Sequence, residues 1–260
     1  MVAGQAAALV RQRELVAEAG EAEAIRRADQ LRRSLLSAVS HDLRTPLAGA
    51  KAAISSLRSE DVDFSADDTA ELLATVEESV DQLTALVDNL LDSSRLAAGA
   101  VHPELKQVYL DEVVQRSLLS INRGTTGAAR RGLDRVTVDA AGAVALADPG
   151  LLERVLANVI DNALRYGGDG PVRINAGTVA GRTLINVIDE GPGVPHGVAD
   201  QLFEPFQRLG DRDNRHGVGL GLSVARGFVT AMGGTVSATD TPGGGLTVLI
   251  DLPATGPDDR

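Results

Sequence analysis

His41 stands in SAVSHDLRTPLA with a carboxylate, Asp42, at its side and a hydroxyl, Thr45, one helical turn further on. An unperturbed imidazole titrates near about pH 6.5, and a neighbouring carboxylate can hold one ring nitrogen protonated, leaving the other as a nucleophile. At about 100° per residue, His41 lies about 160° from the apolar stripe of its own helix, so it faces water. Thr45 points nearly the same way. The plain alternative is a solvated polar face that happens to carry a histidine. His102, His196 and His216 lack a comparable setting and read as surface residues.

A second group of candidates lies in the C-terminal half. NVIDNALRY at 158–166 puts Asn158 and Asn162 four residues apart on one helical face with Arg165 beside them, opposite the stripe Leu152, Leu156, Val159 and Ala163. Asn is a poor mid-helix residue, and two in register with an Arg make a face whose amide oxygens can ligate a hard cation and whose guanidinium can meet phosphate. An ordinary solvated face is the competing reading. In DEGPGVP at 189–195 a strand ends in Asp189, whose carboxylate could accept the exocyclic amine of adenine, while Gly191 and Gly193 let a ligand approach the backbone; the same composition also makes plain turns. GVGLGL at 217–222 opens a helix, so Gly217, Gly219 and Gly221 offer backbone amides and a helix dipole to phosphates. It is no dinucleotide fingerprint, because it follows a loop and not a strand, and no GK[ST] is present. Tyr166 could stack on a base, and Phe203 and Phe206 in FEPF read as anchors of a loop spanning 191–218. TPGGGLTVL at 241–249 is compatible with a simple hairpin turn.

The elements that must position these residues fall into two textures. Leu36, Val39, Leu43, Leu47, Ala50, Ile54 and Leu57 recur at helical spacing, with Pro46 expected to kink the helix. Leu73, Val76, Val80, Leu83, Val87, Leu90 and Ser94 follow alternating steps of three and four, a heptad seam. Two such helices form a hairpin with too little apolar surface to stand alone, so pairing with a second copy into a four-helix bundle is expected. Beyond Gly99, strands are expected at 104–108, 135–139, 171–176, 183–189, 235–239 and 246–252, and helices at 110–122, 149–166 and 219–232. Asp148 caps the middle helix and Pro149 takes its first position. This half reads as an α/β sandwich.

Composition narrows the partners. Apolar residues at 43% and charged residues at 23% fit a folded chain and exclude wholesale disorder. A net charge of −11 makes nucleic acid and acidic lipid poor partners. With no Cys, thiol catalysis and cysteine-ligated metal drop out, and any metal must use oxygen or nitrogen ligands. No apolar run approaches the ~20 residues that cross a bilayer. The Ala-rich, Arg/Glu-laced start reads as helix, as though cut from something longer.

Taken together, SHDLRTPL, NVIDNALRY, DEGPG, FEPF, GVGLGL and the late GGG resemble, in order and spacing, the H, N, first-glycine, F, second-glycine and third-glycine boxes of bacterial sensor histidine kinases. The similarity covers about residues 34–253. LRRSLLSAVSHDLRTPLA, ADPGLLERVLANVIDNALRY and VGLGLSVARGFVTAMGGT are similar to the potassium-responsive KdpD-type sensors, in an actinobacterial form.

The resemblance implies a signalling helix or linker at 1–33, a dimerisation and histidine phosphotransfer hairpin at 34–99, a Bergerat-type (GHKL) ATP-binding α/β sandwich at 104–254 and a flexible tail at 255–260. It implies that His41 takes the γ-phosphoryl group of ATP and that Asp42 orients or deprotonates it. Thr45 would place water when a partner is dephosphorylated. Asn162, with Asn158, would hold Mg²⁺, Asp189 would read adenine with clearance from Gly191 and Gly193, and Gly217, Gly219 and Gly221 would line the phosphates. Arg165 stands where many members have Lys. The implied partners are a second copy, as a homodimer, and the receiver domain of a response regulator, in a cytoplasmic setting that includes the cytoplasmic part of a membrane sensor. The segment 95–103 is the expected hinge. Two other classes fit parts of the pattern: a nucleotide-sensing dimeric adaptor without phosphotransfer, and a plain ATPase of the gyrase or chaperone sort. The latter leaves the outward His41 and Thr45 unexplained.

Overall fold

The computed structural model describes residues 40, 42–59, 62–123, 132–195, 197–207 and 219–254. Contacts divide the chain into two units, Met1–Asp42 and Leu43–Arg260. Of the first, only Ser40 and Asp42 are described, both helical; the linker expected at 1–33 and the tail expected at 255–260 lie outside the described residues.

The second unit opens with helix α1 (43–57), which stays helical through Pro46, and α2 (Ala66–Ala97). A capping box starts α2: the Asp68 N–H donates to Ser65 Oγ at 3.1 Å and the Ser65 N–H donates to Asp68 Oδ2 at 3.3 Å. At the other end the chain leaves the helix through Ala98 and Gly99, the latter at φ 64°. The buried side of α1 is Pro46, Ala50 and Ala53, whereas Leu47 and Ile54, expected in the buried stripe, are exposed. Small residues explain the rotation: Gly49 faces Ser79, and a Cβ on Gly49 would lie 3.4 Å from Ser79 Oγ, so α1 comes close to α2 through its small side. The α2 seam is split in the same way. Leu86 is buried and Val76, Leu83 and Leu90 are half-buried, but Leu73, Val80 and Val87 are exposed.

After β1 (Lys106–Tyr109) and α3 (Leu110–Arg123), the described chain resumes at a 3₁₀ turn (Leu133–Arg135). There follow β2 (Val136–Asp139), β3 (Val144–Ala147), α4 (Pro149–Tyr166), β4 (Val172–Val179) and β5 (Arg182–Ile188). A second 3₁₀ turn (Ala199–Phe203) precedes α5 (Gly221–Ala231), β6 (Thr235–Asp240) and β7 (Leu246–Pro253). Five strands form one sheet in the order β2-β4-β5-β7-β6, with β2 parallel to β4 and the other pairs antiparallel. β1 and β3 form a separate antiparallel pair.

β3 was not expected, since its sequence VALA lacks the β-branched run that marks a strand. It forms because Ala145 and Ala147 are fully buried, and small side chains fit where β3 lies close beneath the main sheet. The layers meet through alternation: Ile185 and Val187 on β5 and Val248, Ile250 and Leu252 on β7 turn into one core with Leu152, Leu156, Val159 and Ile160 of α4. Each such side chain contributes roughly 1.5–3 kcal/mol by burial. The helix axis of α4 is thereby fixed, and its polar face is turned away from the core.

Candidate active site

Local sequence sets α4 in place. Asp148 Oδ1 accepts the N–H groups of Gly150 and Leu151 at 3.0 and 3.1 Å, and its Oδ2 accepts the Glu104 N–H at 3.0 Å, so one carboxylate caps the helix and pins the incoming chain. With Leu152, Leu156, Val159 and Ala163 buried as the periodicity predicts, Arg154, Asn158, Asp161, Asn162 and Arg165 occupy the less buried side. Arg165 Nε donates to Asp161 Oδ2 at 2.7 Å, so this guanidinium is engaged on its own helix with donors to spare. Asn158 faces the start of α5: a Cβ on Gly221 would sit 3.5 Å from Asn158 Oδ1. The asparagine face and the helix opened by the second glycine block are therefore neighbours.

Asp189 closes β5 and is only 5% exposed. Its Oδ1 accepts the N–H of Gly191 at 2.9 Å and of Leu246 at 3.0 Å, and its own N–H donates to Leu246 O at 2.9 Å. These bonds to Oδ1 compensate the buried carboxylate. Glycines let the chain pack closely around this carboxylate. A Cβ on Gly191 would come within 2.6 Å of Tyr166 O, and one on Gly167 within 2.8 Å of Asp189 Cβ. Gly193, at φ 68°, would place a Cβ 3.0 Å from Gly245 O. Beside Asp189, Glu190 takes Arg173 Nη1 at 2.6 Å. Tyr166 is exposed at the end of α4.

Phe203 is fully buried, with the Arg226 guanidinium 5.9 Å from its ring centre. Phe206 is half-buried, in the left-handed region at φ 66°, and its N–H donates to Gly219 O at 3.0 Å. This bond ties together residues on either side of 208–218. Gly217 lies outside the described residues, as do His41, His196 and His216. Asp42, half-buried, belongs to the first unit, and Thr45, exposed on α1, to the second.

The comparisons with known proteins match two separate stretches of the chain. Residues 31–99 match the His Kinase A (phospho-acceptor) domain, and residues 147–256 match the histidine kinase-, DNA gyrase B- and HSP90-like ATPase family. The chain belongs to the sensor histidine kinases. This kinase core is 73% identical over 259 residues to the sensor protein KdpD of Mycobacterium tuberculosis, covering 100% of the chain and 30% of that relative. It thus spans about a third of the length of the relative it matches. Among solved structures, the histidine kinase AdeS of Acinetobacter baumannii aligns with TM-score 0.61 at 24% identity, over 83% of this chain and 98% of that one. Histidine kinase ThkA in complex with response regulator protein TrrA aligns with TM-score 0.64 at 18% identity, over 90% of this chain and 65% of that one. At these identities both speak for the fold, helices followed by an α/β ATPase sandwich.

Sequence reasoning missed two features of this kinase core. The late GGG resembles the third glycine box, but its contact with Asp189 is not legible in sequence: Gly245 packs on the backbone of Asp189, and its neighbour Leu246 holds that carboxylate. The signal was the run of three glycines, at φ 97°, 115° and 109°, more than a hairpin alone needs. Arg154 was passed over although it lies one turn before Asn158 on the same helix, and it pairs with Asp92 of α2 at 2.8 Å. Among the described residues no helix is long and apolar enough to cross a membrane, and no cluster of three acidic or histidine side chains is arranged to hold a metal.

Proposed function

We propose that this kinase core transfers the γ-phosphoryl group of ATP to His41 and passes it on to an aspartate of a response regulator, with phosphatase activity toward that regulator. The observation that carries the reading is the meeting of Asp189, Gly191, Gly193 and the Asn158–Gly221 contact in one domain that follows a phospho-acceptor hairpin. Asp189 accepts the adenine amine, with Gly191 and Gly193 giving clearance beside it. Gly219 and Gly221 present amides to the phosphates at the start of α5, and Gly217 of the same block serves the phosphates with them. Arg165, drawn from Asp161 by a stronger anion, meets phosphate oxygens, and Tyr166 covers the base.

The donor set also fits a magnesium ion. Asn158 and Asn162 are half-buried amides with hard oxygen donors, and Asn158 is turned toward α5 and not into the core. Bound with ATP and held by Asn162 and Asn158, that ion supplies neutralisation of the phosphate charge.

In the transfer itself a ring nitrogen of His41 forms the P–N bond as the bond from the γ-phosphorus to the bridging oxygen breaks and ADP leaves. Asp42 holds the opposite ring nitrogen protonated or removes its proton. In the reverse service Thr45 places the water that attacks the phosphorylated regulator. The ATP-binding domain travels to His41 about the segment 95–103. The exposed row Leu47, Ile54, Leu73, Val80, Val87 and Leu91 is the surface by which two copies pair. A response regulator partner is supported by the ThkA–TrrA complex. Similarity to KdpD supports potassium supply as the signal and the cytoplasmic part of a membrane sensor as the setting.

Incubating the chain with γ-labelled ATP and Mg²⁺ tests the reading. A label lost in acid and retained in alkali, the stability of a P–N bond, is the expected product. Multiple turnover of ATP with no phosphoprotein contradicts it and favours a plain ATPase.

A further inference from the structure

Arg135 belongs to none of the blocks that carry the family pattern. It ends the 3₁₀ turn Leu133–Arg135 that leads into β2, and it folds back over Gly132, where a Cβ would come 2.9 Å from its Nη2. Its guanidinium reaches the loop that follows α4: Nη1 donates to Gly168 O at 2.6 Å and to Gly170 O at 2.9 Å. That loop, Gly167-Gly168-Asp169-Gly170, contains three glycines in four residues, so its backbone has more freedom to lose than an ordinary loop of this length. A cation bridging two of its carbonyls offsets that loss.

The loop is the rear wall of the candidate adenine site. Gly167 lies against the Asp189 side chain, and a Cβ on Gly170 would come 3.1 Å from Glu190 Cβ. Glu190 is itself fixed from β4 by Arg173. The DEG turn is thus braced on one side by Arg173 and backed on the other by a glycine loop that Arg135 holds in place.

We propose that Arg135 is a positioning residue for nucleotide binding, clamping the 167–170 loop behind Asp189 and so setting affinity for adenine nucleotides and their selection over guanine nucleotides. The inference rests on the reading of Asp189 as the adenine acceptor. Arg135 acts through the loop, so it shapes binding and leaves the rate of transfer at saturating ATP unchanged.

The test uses the whole chain with Arg135→Ala and Arg135→Lys, and it has two arms. In the first, without nucleotide, hydrogen exchange should quicken in Arg135→Ala at amides 168–170 and 189–191 while the strands of the sheet keep their protection. In the second, the ATP concentration for half-maximal autophosphorylation should rise about tenfold in Arg135→Ala, with the maximal rate kept and the preference for ATP over GTP reduced. Arg135→Lys should fall between, because an ammonium can meet a carbonyl but lacks the planar fork. If Arg135→Ala loses protection throughout, the Lys variant decides by the same two readouts. Unchanged exchange in the loop, or unchanged half-saturation, overturns the proposal. A wild-type chain that binds no ATP overturns the adenine reading itself, whereas wild-type binding matched by Arg135→Ala overturns only the role given to Arg135.

Discussion

Arg154 Nη2 lies 2.8 Å from Oδ2 of Asp92, joining the helix that carries Asn158 and Asn162 to the last turns of the hairpin helix α2. The pair is unequal: the Asp92 side chain is 4% exposed and that of Arg154 40%. Burial holds the Asp92 carboxyl above the ordinary carboxylate range, outweighing the attraction of Arg154 and of Arg95. Leu96, one turn on, packs where Gly227 of α5 leaves no Cβ.

The imbalance predicts opposite outcomes for the two halves of the pair. Arg154→Gln strands a buried carboxylate and should cost about 2 kcal/mol. Asp92→Asn removes the buried charge and leaves Arg154 hydrated, so it should change stability by less than about 1 kcal/mol. Urea unfolding at neutral pH measures both, and equal losses contradict the assignment of the penalty to Asp92.

The pH dependence follows from the same carboxyl. A carboxyl whose pKa is raised by folding disfavours the folded state when ionised, so its penalty is full above the folded pKa and fades as pH falls through it. The deficit of Arg154→Gln relative to wild type should therefore be largest at neutral pH and shrink on acidification toward the raised pKa. A deficit that grows in acid reverses the sign and rejects the argument.

Asp189→Asn keeps the size of the side chain but replaces one carboxylate oxygen by an amide donor. With Oδ1 committed to the Gly191 and Leu246 N–H groups, the group left for the ligand becomes NH₂, which cannot accept an amine. ATP affinity should fall at least about a hundredfold, with the melting temperature lowered by only a few degrees. Titration with a fluorescent adenine nucleotide reads it directly.

Backbone contact at the first glycine block can be separated from general intolerance of substitution. Gly191→Ala brings a Cβ within 2.6 Å of Tyr166 O, whereas Gly177→Ala on β4 meets nothing within 4 Å. The first should destabilise by about 1–3 kcal/mol and weaken ATP binding, and the second should do neither. Thermal unfolding of the two variants side by side is the measurement.

Val80→Glu with Val87→Glu places charge in the exposed half of the α2 seam. If two copies pair through that row, sedimentation should show a dimer for the wild type and a monomer for the variant, while ATP binding persists. A wild-type monomer rejects the pairing surface.

Legibility from sequence tracked how local the causes were. Helix α4 was delimited correctly at both ends because Asp148, Pro149 and the stripe from Leu152 to Ala163 act within a few residues. The blocks containing Asn158, Asp189 and the glycines stand out in the sequence because each is contiguous. β3 was hidden, since Ala145 and Ala147 are strand residues only by virtue of what covers them. On α1 Ala50 is buried as its stripe predicts, whereas burial of Pro46 and Ala53 beside it follows from the close approach of α2 at Gly49, which the spacing of large apolar residues does not show. Asp92 with Arg154, and Arg135 with the 167–170 loop, pair groups that no local pattern links; only the folded chain brings them together.

The central claim is that one imidazole receives phosphate from a nucleotide held in the α/β domain. Peptide-resolved mass spectrometry after brief reaction with ATP and Mg²⁺, on wild type and on His41→Gln, tests it most directly. The account predicts phosphate on the peptide containing His41 in the wild type, and none in His41→Gln despite undiminished ATP binding. Phosphate retained in His41→Gln, or found on another residue, contradicts it.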